Sequence, residues 1–201
     1  MPLQLFQAQV ERIRDLTHDV REIELRLKEP PAIAFKAGQF VSFEVGRDAL
    51  NRTIVRPYSI ASPPSQRERV LLLLNLVQGG PGSTYLFSLR VGDETQFKGP
   101  TGAFYLRDDP ARDLLFVATA TGIAPLRSML YALSERGFPR PVTLYWGLRS
   151  QRGRVTPLVE ARIASVQNLA VYLCGNEGMI KDVTAVLQKK GLCPIYREKY
   201  Y

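Results

Sequence analysis

The sequence predicts two domains: an antiparallel six-stranded Greek-key β-barrel, followed by an α/β domain built on a parallel sheet. The first half alternates short β-rich runs with turns, whereas the second half alternates apolar strands with helical patterns. A length of 201 residues suits two small domains better than one large one. The change falls at the turn-rich stretch Asp108-Asp109-Pro110, so we predict the barrel over residues 1–108 and the α/β domain over residues 109–201.

Six short runs make up the predicted barrel. Apolar residues on alternate positions, as at Ile23, Leu25 and Leu27, indicate strands with one buried face. The fifth run is instead almost continuously apolar. Six strands are enough to close a barrel, or nearly close one, and so to hide its edges. The predicted strands cover residues 3–10, 20–27, 40–45, 54–62, 70–77 and 94–98.

Composition limits the chemistry of the protein. The two cysteines, Cys174 and Cys193, cannot supply the four thiolates of a usual iron-sulfur cluster and do not have the spacing of a zinc site. We therefore expect no metal, and electron transfer would need an organic cofactor. The sequence shows no secretory leader and no apolar run near the roughly 20 residues that span a bilayer, so we expect a cytoplasmic protein without a membrane span.

The charge balance favours an anionic partner. Lys and Arg number 27 against 19 Asp and Glu, which gives a formal charge of +8. Nucleic acid is disfavoured, because the basic residues are dispersed and no DNA-binding or RNA-binding motif is present.

The fourth predicted strand carries Arg56-Pro57-Tyr58-Ser59. This segment offers a permanent cation for a phosphate, an aromatic face for a ring, and a hydroxyl that can hydrogen-bond a heteroaromatic edge. An ordinary barrel strand with one exposed arginine is the alternative that the heptapeptide 56–62 leaves open.

A glycine-rich loop follows the fifth strand, at residues 78–82. Its backbone amides could approach an anion, and we expect Ser83 to cap a short helix that runs to Leu89. The alternative is a glycine-rich turn followed by a capped helix with no ligand.

The second half begins with the apolar strand 114–119, the turn Ala120-Thr121-Gly122 and a helix with Pro125 in its first turn. Further strands are predicted at 142–147 and 170–174, and a last one near the C-terminus. Cys174 would lie at the carboxyl end of its strand, the edge where open α/β sheets bind ligands. Inert packing is the alternative for this cysteine.

Taken in order, these segments resemble the motifs of the ferredoxin-NADP reductase superfamily, most closely the bacterial-type ferredoxin or flavodoxin-NADP reductases. The resemblance rests on R-x-Y-S at 56–59, the glycine loop at 79–86, G-P-x-G-x-F at 99–104, Y-W-G at 145–147 and C-G-N-x-x-M at 174–179. The turn 120–125 is similar to the family's G-T-G-I-A-P, but Ala120 replaces the first glycine. That methyl group puts in doubt how closely the backbone approaches a diphosphate.

The resemblance implies FAD as the flavin and NADP as the nucleotide, with NAD possible. It implies catalytic roles for Ser59, Cys174 and Glu198, and stacking of Tyr200 or Tyr201 on the flavin. The residues implied to bind the flavin are Arg56, Pro57, Tyr58, Ser59, Asn75, Val77, Gly80, Gly82, Ser83, Thr84, Tyr200 and Tyr201. Those implied to bind the nucleotide are Thr119, Thr121, Gly122, Arg154, Cys174, Gly175 and Met179.

One family element is missing from the sequence. In relatives, a further helix and strand come between the Y-W-G strand and the G-R segment, which here is Gly153-Arg154. Either this protein lacks a β-α unit or the printed sequence omits residues there. We favour the omission, and therefore expect a break between consecutive Cα atoms somewhere in 150–153. Arg154 is a candidate 2'-phosphate contact, with a solvated surface arginine as the alternative.

The resemblance implies a monomeric flavoprotein that passes electrons between NADPH and ferredoxin or flavodoxin through FAD. A second enzyme interpretation is the reductase component of an oxygenase, or a reductase of free flavin. From a different class, a flavin-binding or electron-transfer subunit without turnover also stays open.

Overall fold

The structure is a computed structural model that describes residues 3–109, 111–148 and 154–200. The first domain is a six-stranded antiparallel sheet with strand order β4-β3-β6-β1-β2-β5. A single bridge between Ile60 and Leu72 brings its two edges together, so the sheet curls into a nearly closed barrel. The strands are β1 (Gln4–Asp15), β2 (Val20–Glu29), β3 (Phe40–Arg47), β4 (Thr53–Ser59), β5 (Arg69–Asn75) and β6 (Glu94–Thr101), and helix α1 (Pro81–Ser88) lies between the last two.

Strand β5 explains why one predicted barrel strand is apolar at every position. Val70, Leu72 and Leu74 point into the barrel, where they join its buried core. Leu71 and Leu73 point outward and pack against residues of the second domain. Because side chains alternate faces along a strand, burial of both faces requires a continuous apolar run.

The second domain is a parallel sheet of four strands in the order β10-β9-β7-β8. Helix α2 covers one face, and α3 and α4 cover the other. On β7, Leu114 and Phe116 face α2 while Leu115 and Val117 face the other helices. Its elements are β7 (Asp113–Thr119), a 3-10 turn (Ala120–Gly122), α2 (Ile123–Ser134), β8 (Val142–Gly147), α3 (Val155–Arg162), β9 (Leu169–Gly175), α4 (Glu177–Gln188) and β10 (Ile195–Lys199).

Polar contacts add to the apolar packing between the domains. The Ser128 hydroxyl of α2 donates a hydrogen bond of 2.7 Å to the Ser62 carbonyl of the barrel. Arg127 of α2 forms an ion pair with Glu22 of β2, which is only 6% exposed. Another domain orientation would leave the buried Glu22 carboxylate without its partner, so this ion pair favours the observed orientation.

The structure confirms the predicted fold class: an antiparallel six-stranded barrel precedes a parallel α/β domain. The predicted boundary at residues 108 and 109 falls in the connection between β6 and β7, and it stays a prediction. The expected break within 150–153 lies outside the described residues. In the described part of the chain, no helix is both long and apolar enough to cross a membrane.

The core shared by the two domains gives a stability prediction. Leu126 of α2 is fully buried in the cluster that both domains build. We expect Leu126→Ala to lower the free energy of unfolding by about 2 to 5 kcal/mol, because the lost methyl groups leave a cavity. Urea unfolding followed by circular dichroism measures this change.

Leu192→Ala is the matched control, since Leu192 is 93% exposed and its loss should change stability by no more than about 0.5 kcal/mol. Equal effects of the two substitutions would contradict the assignment of the shared core.

Candidate active site

Strand β4 presents the R-P-Y-S segment at an edge of the barrel. Arg56 and Pro57 are exposed, Tyr58 is half-buried and Ser59 is buried. The Arg56 guanidinium donates a hydrogen bond of 2.9 Å to the Val55 carbonyl, and no ion pair occupies it among the described residues. Burial raises the pKa of Tyr58 to about 12, so its hydroxyl stays protonated. The segment therefore offers an accessible cation beside a neutral aromatic ring.

The glycine loop contacts this segment directly. A Cβ atom on Gly82 would lie 2.5 Å from the Tyr58 hydroxyl oxygen and 2.8 Å from the Arg56 Cβ, closer than real atoms approach. Only glycine lets the first turn of α1 pack this closely on β4. The two segments thus form one surface, in which the free amides of a helix N-terminus lie beside an arginine.

Ser83 does not cap α1 as predicted. The helix starts at Pro81, its N-cap is Gly80, and no side chain caps it. Proline suits the first helical position because its fixed backbone angle is helical, so the helix begins before Ser83. The Ser83 hydroxyl instead accepts a hydrogen bond of 3.0 Å from the Val77 amide, which ties the loop 77–80 to the helix.

Four predicted residues from both domains converge. Ser59 comes from β4 and Cys174 from the end of β9, while Glu198 pairs with Cys174 in the sheet and Tyr200 follows β10. The Tyr200 amide donates a hydrogen bond of 2.8 Å to the Gly175 carbonyl, which extends the strand pairing to this residue. The Tyr200 hydroxyl is close enough to the Ser59 hydroxyl and the Cys174 thiol for each to act on its pKa.

Burial dominates the electrostatics of this cluster. It raises the pKa of the Cys174 thiol well above its usual range, and the negative charge of Glu198 raises it further. Burial also raises the pKa of Tyr200 well above its usual range, and the nearby thiol adds to this effect. The pKa of Glu198 is raised by burial as well. At neutral pH the thiol and the phenol are therefore protonated, and the carboxyl group holds its proton more tightly than in water.

The predicted nucleotide residues surround the carboxyl ends of β7 and β9. Thr119 accepts hydrogen bonds of 3.3 Å from the backbone and side-chain nitrogens of Asn176. A Cβ on Gly122 would lie 2.4 Å from the Cys174 carbonyl oxygen, so the turn packs directly on β9. Thr121 donates a hydrogen bond of 3.0 Å to Asn75 of the barrel, which joins a predicted nucleotide residue to a predicted flavin residue.

Ala120, where the family has glycine, adopts a left-handed backbone with a φ of 47°. This conformation costs a residue with a side chain about 1–2 kcal/mol. Sequence reasoning missed the contact beside it, a hydrogen bond of 2.9 Å from the Trp146 indole nitrogen to the Ala120 carbonyl. The Y-W-G match was interpreted only as a strand. Nothing in the spacing of residues 120 and 146 shows that the two meet.

Other predicted residues lie around this centre or away from it. Gly175 is buried beside Thr119. The Met179 amide donates to Asn176, the cap of α4. Arg154 is the exposed N-cap residue of α3, and no hydrogen bond or ion pair joins it to the turn 120–122 within the described residues.

The remaining predicted flavin residues lie around the first turn of α1, where Val77 and Thr84 are exposed and Gly80 is half-buried. Tyr201 lies outside the described residues.

Comparison with known proteins identifies the barrel. The family model for the oxidoreductase FAD-binding domain matches residues 7–105. Residues 7–105 belong to the family of oxidoreductase FAD-binding domains. This family membership confirms the resemblance deduced from the motifs. It also supports FAD as the cofactor, because the matched region contains β4, the glycine loop and α1.

Individual relatives add detail. The chain is 34% identical over 152 residues to the phenol 2-monooxygenase reductase component DmpP of Pseudomonas sp. (strain CF600). This alignment covers 75% of this chain and 41% of that protein. It is 27% identical over 238 residues to the ferredoxin--NAD(P)(+) reductase component of naphthalene 1,2-dioxygenase/salicylate 5-hydroxylase systems of Ralstonia sp.. That alignment covers 100% of this chain and 70% of the relative. Both relatives are longer, and the chain spans less than half of the first.

A solved structure supports the fold. The Amycolatopsis cytochrome P450 reductase GcoB superposes with a TM-score of 0.85 at 24% identity, over 98% of this chain and 70% of that chain.

The 238 positions of the Ralstonia alignment exceed the 201 residues of this chain, so at least 37 positions have no counterpart here.

The surface formed by β4 and α1 gives a cofactor prediction. We expect Arg56→Ala to weaken FAD binding by about 10- to 150-fold, because it removes a charge-assisted phosphate contact worth roughly 1.5–3 kcal/mol. Equilibrium dialysis or flavin fluorescence on dilution measures the dissociation constant.

Arg52→Ala is the control, since Arg52 is exposed near the same strand and pairs with Asp48 at 2.7 Å. FAD binding to this variant should match the wild type. Wild-type affinity in Arg56→Ala would show that Arg56 does not contact the cofactor.

Proposed function

We propose that this protein is an NAD(P)H-dependent flavoprotein reductase that delivers electrons to the protein components of an oxygenase system. The observation that carries the proposal is the convergence of Ser59, from the FAD-binding barrel, with Cys174, Glu198 and Tyr200 at the carboxyl ends of β9 and β10. Open α/β sheets bind ligands at this edge. A nicotinamide bound there would face a flavin bound on β4.

The protein residues position the reactants and hold protons. A bound FAD would supply hydride acceptance from a reduced nicotinamide and release of single electrons. Arg56 and the first turn of α1 would hold its phosphates. The Ser59 hydroxyl and the Cys174 thiol would line the space between the two rings. The half-buried ring of Tyr200 would cover the flavin until a nicotinamide displaces it.

The relatives favour one enzyme interpretation over the other. Transfer to ferredoxin or flavodoxin, as in a ferredoxin-NADP reductase, was the first expectation from the motifs. The relatives described above are reductase components of phenol and naphthalene oxygenase systems. The oxygenase interpretation therefore fits better, and an acidic ferredoxin of such a system remains the proposed acceptor.

Rapid mixing tests the proposed active site. Anaerobic FAD-loaded protein should lose its flavin absorbance when mixed with NADPH or NADH, and the faster nucleotide identifies the donor. We expect Cys174→Ser to slow this step by about tenfold or more, because misplaced reacting groups lose much of the benefit of proximity.

Cys193→Ser is the matched control, because Cys193 packs against the opposite face of the sheet. It should reduce at the wild-type rate. Bleaching by neither nucleotide would refute the proposed function, and wild-type rates in both variants would remove Cys174 from the reaction site.

The dependence of electron transfer on ionic strength tests the proposed acidic acceptor. If the formal charge of +8 steers an acidic carrier, cytochrome c reduction through added ferredoxin should fall steeply as ionic strength passes about 0.1 M, where the Debye length is about 10 Å. Reduction of the neutral acceptor benzoquinone should barely change. Equal salt dependence for both acceptors would contradict electrostatic docking.

A further inference from the structure

Helix α2 lies along the outer face of the barrel and follows directly from the turn 120–122. Thr121, in that turn, donates a hydrogen bond of 3.0 Å to Asn75 at the end of β5. Further along α2, Ser128 donates to the Ser62 carbonyl, and the Ser62 hydroxyl accepts a hydrogen bond from the Leu71 amide of β5. The helix therefore runs antiparallel to β5, with the turn at the Asn75 end.

An ion pair lies between these two attachment points. Arg127 of α2 pairs with Glu22 of β2. In the barrel sheet, Glu22 lies opposite Leu73 of β5, two residues from Asn75. Among the described residues, it is the one ion pair that joins α2 to the barrel. The pair is thus close to the point where the turn 120–122 is attached to the barrel.

The environment of this pair makes it sensitive to geometry. Glu22 is buried, so its carboxylate depends on its partners for compensation of charge. Burial would lower the pKa of Arg127, but hydrogen bonds to Glu22 and Tyr131 raise it above its ordinary value. Arg14 also lies 3.9 Å from Glu22, but it is a residue of the barrel itself, with a side chain that is 65% exposed. Arg127 is therefore the cation that ties Glu22 to the second domain.

Apolar packing alone does not determine where α2 lies along the barrel. The hydrophobic effect depends on buried area and has no direction, so Leu73 and Leu126 would keep much of their burial after a small shift of the helix. The same shift would lengthen the contact between Arg127 and Glu22 and leave a buried carboxylate less compensated. The ion pair therefore selects one position of the helix.

The position of α2 affects the distance between the two proposed reactants. Its first residue, Ile123, follows Gly122, whose backbone packs against the Cys174 carbonyl. On the barrel side, Ile60 continues the flavin strand β4 and bridges to Leu72 of β5. A displacement of about 1 Å between reacting groups can slow a reaction by about 100-fold. A shift of α2 along β5 would produce such a displacement.

We infer that Arg127, through its ion pair with Glu22, is a positioning residue for hydride transfer, which fixes the turn 120–122 relative to the flavin strand. The inference rests on the proposed function, because it needs a nicotinamide and a flavin that react across the domain interface. Arg127 contacts neither reactant in this scheme. Its loss should therefore slow the transfer without weakening the binding of either cofactor.

Rapid mixing of FAD-loaded protein with NADH or NADPH separates rate from binding. We expect Arg127→Gln to lower the limiting rate of flavin reduction about tenfold. The FAD dissociation constant and the nucleotide concentration for half-maximal rate should stay within about twofold of the wild type. Glu22→Gln, which keeps the shape of the side chain, should have the same effect. The double variant should be no slower than either single variant, because both substitutions remove one contact.

Two further variants test the role of the charge. Arg127→Lys keeps the cation and should stay within about threefold of the wild-type limiting rate, because one guanidinium nitrogen makes the hydrogen bond to Glu22. Arg26→Gln is the matched control, since Arg26 lies on the same strand as Glu22 but pairs with Glu11 within the barrel, at 3.3 Å. This variant should reduce at the wild-type rate.

A measurement without turnover separates positioning from loss of structure. Oxidised nucleotide that reaches the flavin ring changes the flavin absorbance spectrum. At saturating nucleotide, this difference spectrum should be weaker in Arg127→Gln and Glu22→Gln than in the wild type. Urea unfolding shows whether each variant is folded under the assay conditions. If Arg127→Gln does not fold, Glu22→Gln decides by the same criteria, because the arginine that it leaves unpaired is 30% exposed.

The inference is overturned if Glu22→Gln reduces its flavin at the wild-type rate, or if weaker binding of FAD or nucleotide accounts for the slower rate. It is also overturned if the losses of the two single variants multiply in the double variant, or if Arg127→Lys is as slow as Arg127→Gln. In each case, flavin reduction of the wild type by NADH or NADPH leaves the proposed function standing. No reduction of the wild type by either nucleotide would instead refute the proposed function, and this inference with it.

Discussion

The structure depends on apolar packing between the barrel and the nucleotide domain. Leu71 and Leu73 of β5 and Phe104 of the connection pack against Phe116 and Leu126 of the second domain in one buried cluster. A cluster shared in this way couples the folding of the two domains, because each domain alone would expose its half to water. It also holds Ser59 opposite the end of β9, so the proposed reaction site exists only while the interface is intact.

Burial then determines the chemistry that this interface can support. Cys174 and Tyr200 keep their protons because their charged forms would lose solvation in the interior. A site made of neutral donors and one carboxyl group with a raised pKa suits the approach of two planar rings. Arg56 differs, since its guanidinium is exposed at the barrel edge, where it stays hydrated and accessible to a phosphate.

Close backbone approach is the third constraint. Gly82 packs on Tyr58, and Gly122 packs on the Cys174 carbonyl, at distances that leave no room for a Cβ. Each contact brings a helix N-terminus next to a segment of the candidate site. Ala120 differs from these glycines, because it carries a side chain and still adopts a left-handed backbone conformation. A hydrogen bond from Trp146 to the Ala120 carbonyl supports this conformation.

The sequence by itself determined the fold class and the FAD-binding character of the barrel, because these depend on local patterns. Alternation of apolar residues predicts strands, and motifs such as 56–59 and 174–179 carry their chemistry within a few residues. The start of α1 was predicted at the wrong residue, because proline at the first helical position outweighed the capping preference of Ser83. Only the tertiary structure decided that Tyr200 meets Ser59 and Cys174, that Arg127 pairs with Glu22, and that Trp146 donates a hydrogen bond to Ala120. These contacts join residues far apart in the chain, and their existence depends on strand order and register, which no local pattern specifies.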